Sequence, residues 1–294
     1  MSEIKFSVLE NRAILKVIGE DARGFLQGLV SNDLTEASPQ NTIYAALLTP
    51  QGKYLHDFFI TQSGNAFLLD CEADRIDDLY KRLRLYKLGA KIDLELDSEN
   101  SIVAVIGDQA PEALGIAPLA GSTISYLNGL AFVDPRLPKM GVRMVPASET
   151  AKEELSNTGF IEVEFSDYDK LRISLGLPDG SRDMEVEKSI LLEYGFEELN
   201  GVSFDKGCYT GQELTARTKH RGLVKKRLLP VTFDGSPPKP GTEIILNGKN
   251  AGEMRSAQDG MGLALIRLEA LAGDEDLSSG GTILRPIRPD WAVL

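Results

Sequence analysis

The sequence predicts an α+β fold in two parts, a mixed helix-and-strand region over residues 1–223 and a small antiparallel β-barrel over residues 224–294. Three observations predict it. Ala22, Phe25, Leu26 and Leu29 fall at i, i+3, i+4 and i+7, the spacing of one buried helix face. The stretch "NTIYAALLTPQGKYLHDFFITQSGNAFLLD" holds three strand-length runs parted by the turn signals "PQG" and "SGN". After residue 223 the character changes. "KKRLLPVTF", "GTEIILNGKNAGEMRSA", "GMGLALIRL" and "TILRPIRP" are strand-length runs separated by Gly, Pro and Asn, and Asn247-Gly248 is a hairpin dipeptide.

In chain order, residues 3–9 and 12–18 alternate as two short strands. The first helix begins behind Asp21 as N-cap. After the three strands, residues 74–88 form a helix capped by Asp74 and stopped by Gly89. Strands follow near 91–96 and 101–107, and residues 110–160 mix short strands with a helix near 148–157. "SDYDKLRISLGLP" is a helix from Asp167 to Leu175, closed by Gly176 and Pro178. The loop "DGSPPKPG" lies inside the barrel region and is too short for an interdomain linker.

Composition narrows the function classes. Among 294 residues, 32 are basic and 44 acidic, a net charge of −12, which speaks against a nucleic-acid-binding surface. Two cysteines make no disulfide framework and fit a reducing compartment. A zinc site from His and Cys alone would need both cysteines and both histidines together, so no metal is expected. The opening "MSEIKFSVLENR" has no apolar signal core, and no run of 18 apolar residues occurs. The expectation is a cytoplasmic protein, or one of the mitochondrial matrix in a eukaryote, with no membrane partner.

The stretch "DKGCYTGQEL", residues 205–214, carries the chemistry. Thr210 and Glu213 have the spacing of a capping box, so a helix is expected to start at Thr210. That puts Cys208 just before a helix N-terminus with Lys206 close by, and both favour thiolate over thiol. Gly207 and Gly211 permit tight turns or close approach of a ligand. On the residues alone, a small packed cysteine beside an ordinary helix cap fits as well.

"KGCYTGQE" resembles the signature of the YgfZ-type folate-binding proteins, relatives of the glycine-cleavage T protein that act in iron–sulfur cluster assembly and repair. "FLQGLVSND", "LLTPQGKYLHDFFI" and "LRISLGLP" resemble further blocks of that family, in its order. The resemblance implies two interleaved α/β lobes around a folate pocket, with a C-terminal barrel. It implies tetrahydrofolate or another reduced folate as ligand, iron–sulfur client or assembly proteins as partners, and a link through such enzymes to tRNA modification. Carried over by position, Cys208 is the reactive group with Lys206 beside it. Asn32, Asp33, Arg172, Glu193, Tyr209, Gln212 and Arg217 would contact the cofactor, and Asn32-Asp33 also reads as a helix C-cap with turn chemistry. T proteins carry a functional aspartate in the strand matching "KYLHDFF", where an IDD-like pair aligns with His56-Asp57; Asp57 keeps a carboxylate. They also carry Asp where this chain has Cys208, which argues against aminomethyl transfer. That transfer, with Asp57 as acid/base group, is the rival reading. The family's P-x-E motif is here Leu191-Leu192-Glu193, with the Pro lost.

Residues 217–227, "RTKHRGLVKKR", hold six Lys or Arg. Two readings stay open: a solvated helix end, and a basic rim for the polyglutamate tail of a folate. Cys71 and Trp291 read as packing residues.

Overall fold

The computed structural model describes residues 3–97, 101–145, 150–273 and 276–293. They form two compact units. The first comprises residues up to Leu48, Leu55–Tyr168 and Leu199–Thr210; the second comprises Thr49–Tyr54, Asp169–Glu198 and the chain from Gly211 onward.

The chain runs β1 (Lys5–Val8), β2 (Arg12–Ile18), α1 (Ala22–Gln27), β3 (Ile43–Leu48), β4 (Tyr54–Ser63) and β5 (Ala66–Glu72), then α2 (Ile76–Tyr86) and β6 (Asp93–Asp97). It continues with β7 (Val103–Ile106), α3 (Ala110–Ala113), β8 (Thr123–Tyr126), β9 (Gly129–Val133), β10 (Gly141–Val145), α4 (Thr150–Asn157), β11 (Ile161–Glu162) and α5 (Phe165–Ser174). Two sheets result, ordered β11-β1-β7-β10-β9-β8 and β3-β4-β5-β2-β6. β1 belongs to one and β2 to the other, and the chain returns to the first sheet only at β7, so the two lobes interleave as expected. The first sheet packs Phe6, Val103, Val105, Val133, Val142 and Met144 with Leu114 and Leu155 into one apolar cluster.

Between the sheets lies a buried ionic layer. Asp70 on β5 accepts from Arg12 Nε on β2 at 2.7 Å and from Arg143 Nε on β10 at 2.8 Å. Arg143 also donates to the Tyr168 hydroxyl, and Arg136 pairs with Asp134 at 2.7 Å. The guanidinium carbons of Arg143, Arg136 and Arg12 lie 4.4, 4.8 and 5.8 Å from the Phe59 ring centre, within cation–π reach. All of these charged groups are buried.

The second unit contains α6 (Gly180–Asp183), α7 (Gln212–His220) and six strands: β12 (Lys226–Phe233), β13 (Glu243–Leu246), β14 (Lys249–Gln258), β15 (Met261–Arg267), β16 (Leu277–Ser279) and β17 (Thr282–Pro286). The strands close into a barrel in the order β12-β15-β14-β13-β16-β17, which removes open edges. Val231, Phe233, Ile244, Met254, Ala264, Ile266 and Leu284 fill it. Asn247 and Gly248 take φ of 52° and 76° and join β13 to β14, the hairpin that the dipeptide signals. Gly176 closes α5 at φ 76°, where a Cβ would come within 3.0–3.3 Å of Pro289, Pro230 and Trp291. Trp291 donates to the carbonyl of Leu175 at 2.8 Å.

Some boundaries differ from expectation. α2 starts at Ile76, preceded by a short 3-10 turn, so Asp74 is not its cap. Asp21 is the N-cap residue of α1 but makes no side-chain capping bond; its carboxylate accepts from the Lys91 backbone N–H instead.

Removing the shared partner of the two buried guanidiniums should be costly. Asp70→Asn is expected to lower the unfolding free energy by about 3–5 kcal/mol. Asp234→Ala, at an exposed pair with Arg285, should change it by less than about 1 kcal/mol. Urea denaturation of the two variants gives the comparison.

Candidate functional site

α1 ends at Gln27, and the chain then turns through residues 28–33. A helix end and the turn after it leave backbone carbonyls without intrahelical partners. Here a lysine takes three of them: Lys206 Nζ donates to the carbonyls of Gln27, Val30 and Asn32 at 2.8, 2.7 and 2.7 Å. All three of its N–H donors are used, and the ammonium also lies 5.1 Å from the Tyr209 ring centre. Partial burial pushes its pKa down to about 8, opposed by the charge of Asp33.

Further bonds stitch the segment 200–210 onto the same turn. Ser203 N–H donates to Ser31 O, Thr210 N–H to Gly28 O, and Ser31 Oγ to Gly201 O. Asn32 Nδ2 donates to Asn200 O and to Tyr44 O, both at 2.8 Å. Asn200 takes a φ of 56°, and its side chain donates to Pro135 O. Held in this way, the loop leaves Cys208 exposed as a free thiol with exposed Gly207 beside it, while Tyr209 turns inward. Cys71, by contrast, is buried, and burial pushes its thiol pKa up to about 12.

The capping box does not form. α7 starts at Gln212, its N-cap is Gly211 in a left-handed conformation (φ 83°), and no side-chain cap bond is made. Thr210 is instead committed to the loop through its N–H. Gly52 is required beside this helix start, because a Cβ there would lie 2.6 Å from the Leu214 Cβ and 2.7 Å from the Gly211 carbonyl. Lys206 likewise acts as a clamp on carbonyls, not as the free charge beside the sulfur that the sequence suggested.

Asp33 accepts from Gln27 Nε2, Thr35 N–H and Thr35 Oγ1; the Thr35 backbone bond leads in lowering its pKa. Asp57 is buried on β4 and accepts from the Tyr44 hydroxyl at 2.8 Å. Burial, then the Asp57 charge, raises the Tyr44 pKa well above its usual value. His56 is also buried, with Nε2 2.8 Å from Asp78 Oδ2.

The remaining predicted residues lie in the second unit. Arg172 is fully buried, held by Asp169, Asp183 and the Leu177 carbonyl, so its guanidinium serves the core of that unit. Glu193 sits half-buried in a 3-10 turn; burial raises its pKa against the charges of Lys226 and Lys53. Its carboxylate takes no side-chain hydrogen bond among the described residues. Gln212 opens α7, and Arg217 is exposed in its last turn. The basic stretch divides: Arg217, Arg221 and Lys225 are exposed, whereas Lys219 pairs with Glu197 and Arg227 is buried against Glu198 and the Leu192 carbonyl. Arg227 is therefore not part of an exposed rim.

The structure thus gathers Asn32, Asp33, Lys206, Cys208 and Tyr209, and links Asn32 to the strand of Tyr44 next to Asp57. Sequence reasoning missed Ser31, Tyr44, Asn200 and Ser203. Asn200-Gly201 was a legible turn dipeptide; a tyrosine hydroxyl within the apolar run "IYAALL" was not.

Residues 225–294 match the family model described as the CAF17 C-terminal beta-barrel domain. Over nearly its whole length the chain is similar to the mitochondrial iron–sulfur cluster assembly factor IBA57 of Mus musculus, 33% identical over 309 residues that cover 96% of this chain and 84% of the mouse protein. It is 35% identical to the Homo sapiens protein of the same name over 307 residues, with the same coverage. Its fold is that of the glycine cleavage system aminomethyltransferase T from Bartonella henselae, with a TM-score of 0.79 at 15% identity over 97% of this chain and 85% of that one.

Acid should destabilise the fold through His56. Burial lowers its pKa to about 4, whereas the unfolded chain takes up a proton near 6.5. Between these values unfolding binds a proton, so stability falls as pH falls, by up to about 1.4 kcal/mol per pH unit. His56→Gln should flatten the decline of the denaturation midpoint between pH 7 and 4; an undiminished slope would assign the acid sensitivity to other groups.

Proposed function

Because the chain belongs to the IBA57 family of iron–sulfur cluster assembly factors, we propose that it serves the maturation or repair of iron–sulfur proteins by presenting the Cys208 thiol to a partner. The YgfZ-type proteins, whose signature the octet resembles, are a related family. The observation that carries this reading is the exposed thiol on a loop fastened from beneath by Lys206. A cluster takes about four ligands, so one cysteine can contribute to one only together with a partner's groups. The two relatives named above are mitochondrial by name, which supports the matrix alternative for a eukaryotic source.

Tetrahydrofolate, or another reduced folate, is the ligand we propose for the same protein. The fit rests on chemistry. A pterin presents an N–H edge that a carboxylate pairs with, and Glu193 offers a half-buried carboxylate whose side-chain hydrogen bonding is unused. The exposed cations Arg217, Arg221 and Lys225, in the same unit as Glu193, would suit a polyglutamate tail. When bound, the folate would supply one-carbon chemistry. The protein's own groups would orient it and exclude water. The aminomethyltransferase alternative gives Asp57 an acid/base role; its hydrogen bond from Tyr44 is the feature in its favour.

Cys208→Ala should fold with an unchanged denaturation midpoint, because the thiol is exposed, yet fail to restore iron–sulfur enzyme activity in cells lacking the native protein. Full rescue by this variant would remove the thiol from the mechanism.

Calorimetric titration with tetrahydrofolate is expected to give a micromolar Kd, about −8 kcal/mol. Glu193→Gln should weaken it roughly tenfold, about 1.4 kcal/mol. No heat at millimolar ligand would end the folate reading and leave the thiol reading standing. Turnover of an aminomethylated lipoyl carrier protein that Asp57→Asn abolishes would favour the transferase.

A further inference from the structure

The end of α2 carries apolar side chains that the fold does not use. Leu79 and Leu83 form its buried stripe, but Leu85 is 75% exposed, Tyr86 37% and Leu88 91%. Leu88 also has a φ of 29°, in the left-handed region that L-residues with large side chains avoid and that Gly or Asn enters more readily. Neither packing nor local conformation accounts for a leucine at this position. Backbone held in a disfavoured region points toward function.

The surroundings are cationic. Lys81 and Arg84 are exposed and make no ion pair among the described residues. Lys87 and Lys91 reach only the surface carboxylates of Asp93 and Glu20, at 3.4 and 3.0 Å. In a chain of net charge −12, this leaves an apolar centre beside two exposed cations, Lys81 and Arg84, that no ion pair among the described residues neutralises.

We propose that the end of α2 is a docking surface for a partner protein whose matching face is an apolar cleft rimmed with carboxylates. Leu88 seats in the cleft and Leu85 and Tyr86 line its entrance. Apolar anchors at the centre of an interface carry most of its energy, and the charged rim sets orientation and association rate. Charge complementarity selects this occupant. A few apolar side chains at a helix end give a membrane little to take up. A second copy meeting across a two-fold axis here would set Arg84 and Lys81 against their own equivalents. The inference stands apart from Cys208 and folate.

The test uses the full chain in its own cells, with photoreactive p-benzoylphenylalanine at position 88 and, as control, at Leu119, which is 67% exposed. Cross-linked proteins are identified by mass spectrometry. The partner is then purified and its Kd measured for wild type, Leu88→Gly and Leu85→Gln. We expect a cross-link from 88 that is absent from 119, and a Kd at least tenfold weaker for Leu88→Gly and also weakened for Leu85→Gln. Affinity should fall with added salt. Glycine relieves the left-handed strain at 88, so the melting temperature of Leu88→Gly should not drop, and lost stability cannot stand in for lost binding. The proposal is overturned by cross-links only to lipid or only to a second copy, by no cross-link at all, by binding to phosphatidylglycerol vesicles that Leu88→Gly abolishes, or by an identified partner whose Kd ignores Leu88→Gly.

Discussion

Asp70 receives guanidinium groups from Arg12 and Arg143, which lie on different sheets, and the α/β unit is organised around that shared carboxylate. Three buried arginines, at 12, 136 and 143, are matched by three buried aspartates, at 57, 70 and 134. Such a layer gains little over an apolar one in net stability, but it is intolerant of substitution because removing one charge leaves its oppositely charged neighbour buried and uncompensated. It also fixes register. A strand slipped by one residue would turn Asp70 to the opposite face and leave both arginines uncompensated. The placement of Tyr44 and Asp57, on β3 and β4 of the same sheet as Asp70, follows from that register.

The Cys208 loop depends on a smaller device of the same kind. Backbone carbonyls at the end of a short helix need donors, and Lys206 supplies them from a segment more than 170 residues away in sequence. The ammonium gives up part of its hydration, which its lowered pKa records, and in exchange it ties the thiol-bearing loop to a rigid turn. A cation at a helix C-terminus is also favoured by the helix dipole. The motif lysine and the motif cysteine are therefore coupled through geometry: one anchors the loop and the other is displayed by it.

What could be read from the sequence was what depends on local spacing. The Asn247-Gly248 hairpin, the barrel strands, the buried stripe of α1 and the Gly176 stop are set by near neighbours, and the structure has each of them. What could not be read depends on contacts distant in sequence. Thr210 has the spacing of a cap, but a bond to Gly28 and a left-handed Gly211 displace the helix start. Arg227 looked like the end of a charged run, yet it is buried against Glu198 and Leu192. The octet coincides with a loop that displays an exposed thiol, whereas the assignment of Lys206 as thiol activator came from its closeness in sequence; the direction of its side chain is set by carbonyls that no local pattern reveals.

On the proposed function, the displayed thiol acts beside a partner. If Cys208 contributes one ligand to a cluster or a mixed intermediate, the remaining groups come from another chain, and the affinity of that encounter is reduced by whatever freedom the loop must surrender. Clamping the loop in advance removes much of that loss. The docking proposed at the end of α2 would likewise account for a leucine held in left-handed backbone, at a cost in stability that association repays.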